Sequence, residues 1–108
     1  MRFINLFKAK KPDFDQGIKE YNSVPDAFLL DVRSSREYQS GHIPGSHNLP
    51  LKHIERAADL VNNKDAKIFV YCQSGARSRQ AASVLKNMGY ANVKNIGGMA
   101  AYKGRVVK

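Results

Sequence analysis

Two short, unbroken apolar runs constrain this chain most: "AFLLDV" at residues 27–32 and "KIFVYC" at residues 67–72. Runs of this length without polar alternation suit strands buried on both faces, the kind found in parallel sheets. Amphipathic stretches surround them and no hairpin signal joins them. Phe14, Ile18 and Tyr21 recur at helical spacing, with Asp15 as the expected cap. In "SSREYQSG", Ser34 or Ser35 is placed to cap a short helix that Gly41 ends. The segment from His42 to Pro50 reads as a loop with a short strand near residues 46–49. "LKHIERAADLV" is expected to be a helix with Leu51, Ile54, Ala58 and Val61 on one face. A further helix begins near Arg77 or Ser78, carries Ala81, Val84, Leu85 and Met88 on one stripe and stops before Gly89. "NVKNI" reads as a third strand, followed by a Gly turn and a short closing helix in "GGMAAYKGR". Alternating strands and helices of this kind define an α/β domain: a small, central, mostly parallel sheet flanked by helices.

A length of 108 residues accommodates one domain, expected over residues 14–108 with residues 1–13 as an N-terminal extension. No apolar run approaches the roughly 20 residues of a membrane helix, so stable membrane association is not expected. The opening "MRFINLFKAKKP" lacks the order of a signal peptide, its lysines following its apolar residues; it reads as a packed or frayed end, with a weakly membrane-seeking end as the alternative. A lone cysteine, Cys72, excludes an internal disulfide and points to a cytoplasmic location. His42, His47 and His53 stand far from it and lack ligand spacing, so no metal site is expected.

Cys72 ends the most apolar run, just before a predicted helix. Ligands of open α/β sheets bind at the carboxyl ends of the strands. A thiolate there meets the positive end of the helix dipole, loop N–H groups and the cations Arg77 and Arg79. Gly75 allows the loop to turn its N–H groups inward into an anion nest. The bland alternative, a small buried hydrophobe, does not account for a strand end, polar loop, two arginines and helix start together. Charge supports the sharper reading. Residues 66–108 carry eight Lys/Arg and no acid, whereas residues 1–65 carry ten and nine. This asymmetry either aids solubility or attracts an anionic substrate.

Three motifs give the chain its resemblance to the rhodanese homology domain in its single-domain sulfurtransferase form: "LLDVRSSREYQSGHIPGSHNLP" at residues 29–50, "YCQSGARS" at 71–78 and "GGMAAY" at 97–102, where Tyr102 replaces a frequent Trp. The resemblance implies a rhodanese-like α/β fold without a cofactor. It implies that Cys72 attacks the outer sulfur of a small anionic donor such as thiosulfate, forms a persulfide and passes the sulfur to a thiol, a protein or cyanide. Gln73, Ser74, Gly75, Ala76, Arg77 and Ser78 would form the cradle. Asp31, Arg33 and His42 match supporting positions, with Asp31 expected to hold Arg77, Arg33 to pair with Glu37 and His42 to brace its loop. No second cysteine can resolve the persulfide, so an external acceptor is needed.

Two other readings compete. Cys-x5-Arg phosphatases place an arginine six positions after the cysteine; here that position is Ser78, with Arg77 and Arg79 on either side. A non-catalytic binding module would not need the thiol. Nucleic acid is not an expected partner, since no stacking platform or RNA motif is present.

Overall fold

The computed structural model describes residues 11–108; the membrane-seeking reading of the first residues lies outside them. The elements run α1 (Phe14–Ser23), β1 (Phe28–Asp31), α2 (Ser35–Ser40), β2 (His47–Asn48), a 3-10 helix (Leu51–Arg56), α3 (Ala57–Leu60), β3 (Lys67–Cys72), α4 (Ala76–Asn87) and β4 (Asn92–Gly98). All four strands pair in parallel, in the order β2-β1-β3-β4. The chain moves outward from β1 to β2, then returns to the other side of β1 for β3. The order therefore reverses between β1 and β3, and the carboxyl ends of these two strands flank the crevice where α/β proteins bind ligands.

Strand periodicity decides which way Cys72 points. Successive side chains alternate between faces. Ile68, Val70 and Cys72 enter one core layer with Leu30, Val32, Ala81 and Leu85; Phe69 and Tyr71 enter the other with Phe14, Ile18, Leu29 and Ile96. The thiol thus faces the side covered by α4. Burial of both faces explains why β1 and β3 read as continuous apolar runs.

Several local expectations are corrected. Asp13, in extended conformation, caps α1 by accepting from the Gln16 N–H at 3.1 Å; Asp15 lies inside the first turn, where its charge still complements the helix dipole. The segment after Pro50 starts as a 3-10 helix, kinks at His53 and becomes α-helical only at Ala57. Three residues per turn aligns Leu51, Ile54 and Ala57, so Ala57 is buried and Ala58 exposed. No helix forms after β4: the strand runs on through Gly98, and Met99–Tyr102 makes a turn closed by a 2.9 Å bond from the Tyr102 N–H to the Met99 carbonyl. Tyr102 packs edge-on against Phe14, with ring centroids 5.1 Å apart. Ser34 caps α2 with a reciprocal capping box to Glu37, and Gly41 ends it. No helix of the described residues is long and apolar enough to cross a membrane.

Candidate functional site

Cys72 is the last residue of β3, and the loop Gln73–Gly75 leads directly into α4. Gly75 sits at the helix N-cap with φ 102°, a left-handed conformation that turns its N–H inward. The Cys72 Sγ accepts from the N–H of Gly75 at 3.0 Å and from the N–H of Ser78 at 3.3 Å. It lies 3.4 Å from the Ser78 hydroxyl, to which the neutral thiol donates. A hydroxyl rotates freely enough to donate to the thiolate instead. Burial of the sulfur opposes the charged form, but the Ser78 hydroxyl and the N–H groups of Ser78, Gly75 and Ser74 outweigh it and hold the thiol below its ordinary pKa.

The two arginines do not surround the sulfur as an undifferentiated positive field. α4 begins at Ala76, so Arg77 is the second helical residue and not a loop residue. It donates from Nη1 and Nη2 to the two carboxylate oxygens of Glu37, at 2.7 and 2.9 Å. This fork, together with the Ser34 hydrogen bonds, lowers the Glu37 carboxyl to a pKa of about 2. Arg79 is exposed and lines a separate cavity of about 320 Å³ with Ser74, Gly75 and Gly98.

The expected partners of Asp31 and Glu37 are exchanged. Asp31 binds Arg33, not Arg77, through the guanidinium at 2.7–3.1 Å and the Arg33 N–H at 2.9 Å. Arg33 does not reach Glu37. Its Nη2 donates to the Gly41 carbonyl at 2.7 Å and its Nη1 to Gln73 Oε1 at 3.3 Å. One buried guanidinium therefore ties the end of β1 to the end of α2 and to the loop after Cys72. Asn48 Nδ2 completes the layer, donating to the carbonyls of Asp31 and Arg33. His42 stacks on Tyr38 with centroids 3.6 Å apart, its Nδ1 bonds the Tyr38 carbonyl at 2.8 Å, and its backbone pairs with Val107. These contacts brace the loop.

Sequence reasoning missed the residues beneath the loop. Gly98 lies so close that a Cβ there would come within 2.6 Å of Ser74 Cα. The ladder continues past β4: the Met99 N–H donates to the Cys72 carbonyl and the Ala100 N–H to the Gln73 carbonyl, at 3.0 and 3.1 Å. The paired glycines were a visible signal, but without the sheet register nothing connected them to Cys72. A larger cavity of about 640 Å³, lined by Val32, Pro50, Leu51, Lys52, His53 and Arg77 among others, also escaped notice.

Fold and site together define a parallel α/β protein with a buried cysteine held in an N–H cradle at the sheet's switch point. Residues 11–105 match the model of the Rhodanese-like domain, and the chain belongs to that family. It is 44% identical over 71 residues to the thiosulfate sulfurtransferase PspE of Escherichia coli K12, covering 65% of this chain and 68% of the relative. It is 38% identical over 79 residues to a sulfurtransferase of Allochromatium vinosum, covering 71% and 72%. Among solved structures, an E. coli rhodanese with anions superposes with a TM-score of 0.71 at 40% identity, covering 76% of this chain and 98% of that one.

Proposed function

We propose that this protein is a rhodanese-type sulfurtransferase that carries sulfane sulfur as a persulfide on Cys72. The observation that carries the reading is the convergence of the Gly75 N–H, the Ser78 N–H and the Ser78 hydroxyl on one sulfur at the end of β3. The thiolate attacks the outer sulfur of a donor such as thiosulfate. An S–S bond forms, the donor's S–S bond breaks, and sulfite leaves with the electron pair. Gln73 through Ser78 form the cradle around the transferred sulfur, while Asp31, Arg33 and His42 hold the surrounding loops. An acceptor thiolate or cyanide then attacks the outer sulfur, and the electron pair returns to Sγ. These steps balance without a cofactor. A lone cysteine leaves discharge to an external acceptor and suits a reducing, cytoplasmic setting. Residues 1–13 are an extension to this domain.

Intact mass measurement after thiosulfate treatment tests the proposal. The protein should gain one sulfur atom and lose it to cyanide, and Cys72→Ser should gain none. Wild-type protein that stays unmodified, or a variant that is modified equally, would refute the persulfide assignment. Phosphatase chemistry is disfavoured because Ser78 occupies the position of a phosphate-clamping arginine, and its hydroxyl oxygen accepts from the Cys72 thiol.

A further inference from the structure

A further cavity, of about 560 Å³, opens at the amino ends of β1 and β3, the far end of the sheet from Cys72. Its volume falls in the range of small-molecule sites. The half-buried rings of Tyr21 and Phe28 line it, with His47 beside them. Each ring is held from behind. Tyr21 packs edge-on against the buried Phe69, with centroids 5.9 Å apart, and Phe28 packs on the core layer that α4 covers. Gly45 leaves room for the Tyr21 hydroxyl, since a Cβ there would stand 2.9 Å from it.

The charge of this cavity contrasts with that of the two described above, which are lined by cations and by no acid among the described residues. Here two carboxylates, Asp26 and Asp65, reach the lining, and neither joins an ion pair among the described residues. Lys67 also lines it, but Glu20 shares its field: the Glu20 carboxyl is held below its ordinary pKa by its hydrogen bond to Lys94 and by the charges of Lys94 and Lys67. In a chain with 18 Lys/Arg against 9 Asp/Glu, two unpaired carboxylates beside two aromatic rings make a place suited to a positive charge. We infer that this cavity binds a small organic cation carried on a flat apolar body, such as an aryl amidine or an aryl-substituted amine. The flat body lies against Tyr21 and Phe28, and the cationic end faces Asp26 and Asp65. Lys67 opens β3 and Cys72 closes it, so the length of the strand separates this site from the sulfur. The inference stands independently of sulfur transfer.

Amide NMR of isotope-labelled protein titrated with benzamidine tests it. Benzamide and benzoate, the neutral and anionic compounds with the same ring, serve as comparisons. Benzamidine should move the amides of Ala27, Phe28 and Ala66 to saturation, and the other two should not. Asp26→Asn and Asp65→Asn should each raise the benzamidine Kd about threefold, and together about tenfold, the scale of one surface charge apiece. Asn is chosen because, like Asp, it accepts the left-handed backbone of Asp26, whose φ is 63°. Cys72→Ser should bind benzamidine as wild type does. Absence of saturable shifts, equal binding of benzamide, or a Kd unmoved in the double variant would overturn the cation site. Shifts centred on the Cys72 loop, or lost in Cys72→Ser, would overturn its placement at the amino end of the sheet. The comparison of the three compounds in wild type decides the charge requirement whatever the variants do.

Discussion

Arg77 and Glu37 form a two-pronged ion pair, at 2.7 and 2.9 Å, that joins the first turn of α4 to the first turn of α2. Glu37 serves two structures at once, since its Oε1 also accepts from the Ser34 N–H and hydroxyl in the capping box. Its carboxyl has a folded pKa of about 2 against an ordinary 4.5. A lowered folded pKa stabilises the protein above the unfolded value, and that contribution is lost as pH falls from about 4.5 through about 2. Glu37→Gln keeps a capping side chain but removes the charge. The variant should be less stable than wild type at neutral pH by no more than about 1 kcal/mol, because both partners are roughly one-third exposed. The gap should close toward pH 2. Urea denaturation across that range checks the trend, and a constant gap would assign the loss to something other than this charge.

Ser78 offers the sulfur both an N–H and a hydroxyl. Ser78→Ala keeps the first and removes the second. Alkylation of Cys72 by iodoacetamide should shift its midpoint to higher pH. The kcat/KM for thiosulfate should fall about tenfold to a hundredfold, the usual value of a hydrogen bond to a charged group. An unmoved alkylation profile would leave thiolate stabilisation to the backbone N–H groups alone.

Gly98 supports the loop by having no side chain. Gly98→Ala would force a Cβ within 2.6 Å of Ser74 Cα, against backbone that cannot swing aside. We expect a loss of about 1–3 kcal/mol in stability and a larger proportional loss in sulfur loading than in thermal stability. Gly104→Ala, whose Cβ would run into the Tyr102 ring and not into the loop, provides a destabilised comparison in melting and loading assays. Normal loading by Gly98→Ala would show that the loop tolerates displacement.

The Asp31–Arg33 pair is almost fully buried, with side-chain exposures of 0% and 5%. Removing one partner strands the other charge. Arg33→Ala should therefore cost about 3–5 kcal/mol, and the double change Asp31→Leu with Arg33→Met should cost less. Chemical denaturation of the three proteins measures the difference. A double variant no better than the single one would mean that the links from Arg33 to Gly41 and Gln73 outweigh its pairing with Asp31.

The charge asymmetry predicts that thiosulfate KM rises with ionic strength as the Debye length falls from about 30 Å at 0.01 M to about 10 Å at 0.1 M. Arg77→Ala should lower kcat/KM more than Arg79→Ala, because Arg77 anchors α4 to α2 whereas Arg79 is exposed. Steady-state kinetics in an inert salt decide both points. A flat KM would remove steering, and equal losses would remove the distinction between the arginines.

The two buried strands, the parallel α/β architecture and the position of Cys72 between a strand end and a helix start were all legible in the linear chain. These follow from local signals: unbroken apolar runs, helical periodicity, and glycines at turns. The Gly75 and Ser78 N–H groups that meet the sulfur lie within six residues of Cys72, which is why a local motif could point to them, although α4 begins at Ala76 and leaves only Gln73–Gly75 as loop. Exact caps and helix types were less legible. Asp13 outcompeted Asp15, and a 3-10 turn replaced an α-helix after Pro50, through geometric differences of one or two residues. Pairings between distant segments were decided only by tertiary structure. Which arginine meets which acid depends on how α2 lies against α4, and that placement exchanged the expected partners of Asp31 and Glu37. It also qualified the charge asymmetry, since Arg77 and Lys94 from the acid-free half bind Glu37 and Glu20 from the other. Sheet register set Gly98 under the loop, and strand order brought Val32, Leu51 and Arg77 around one cavity. A linear chain shows charge and hydrophobicity at each position, but long-range contacts arise from packing all elements at once.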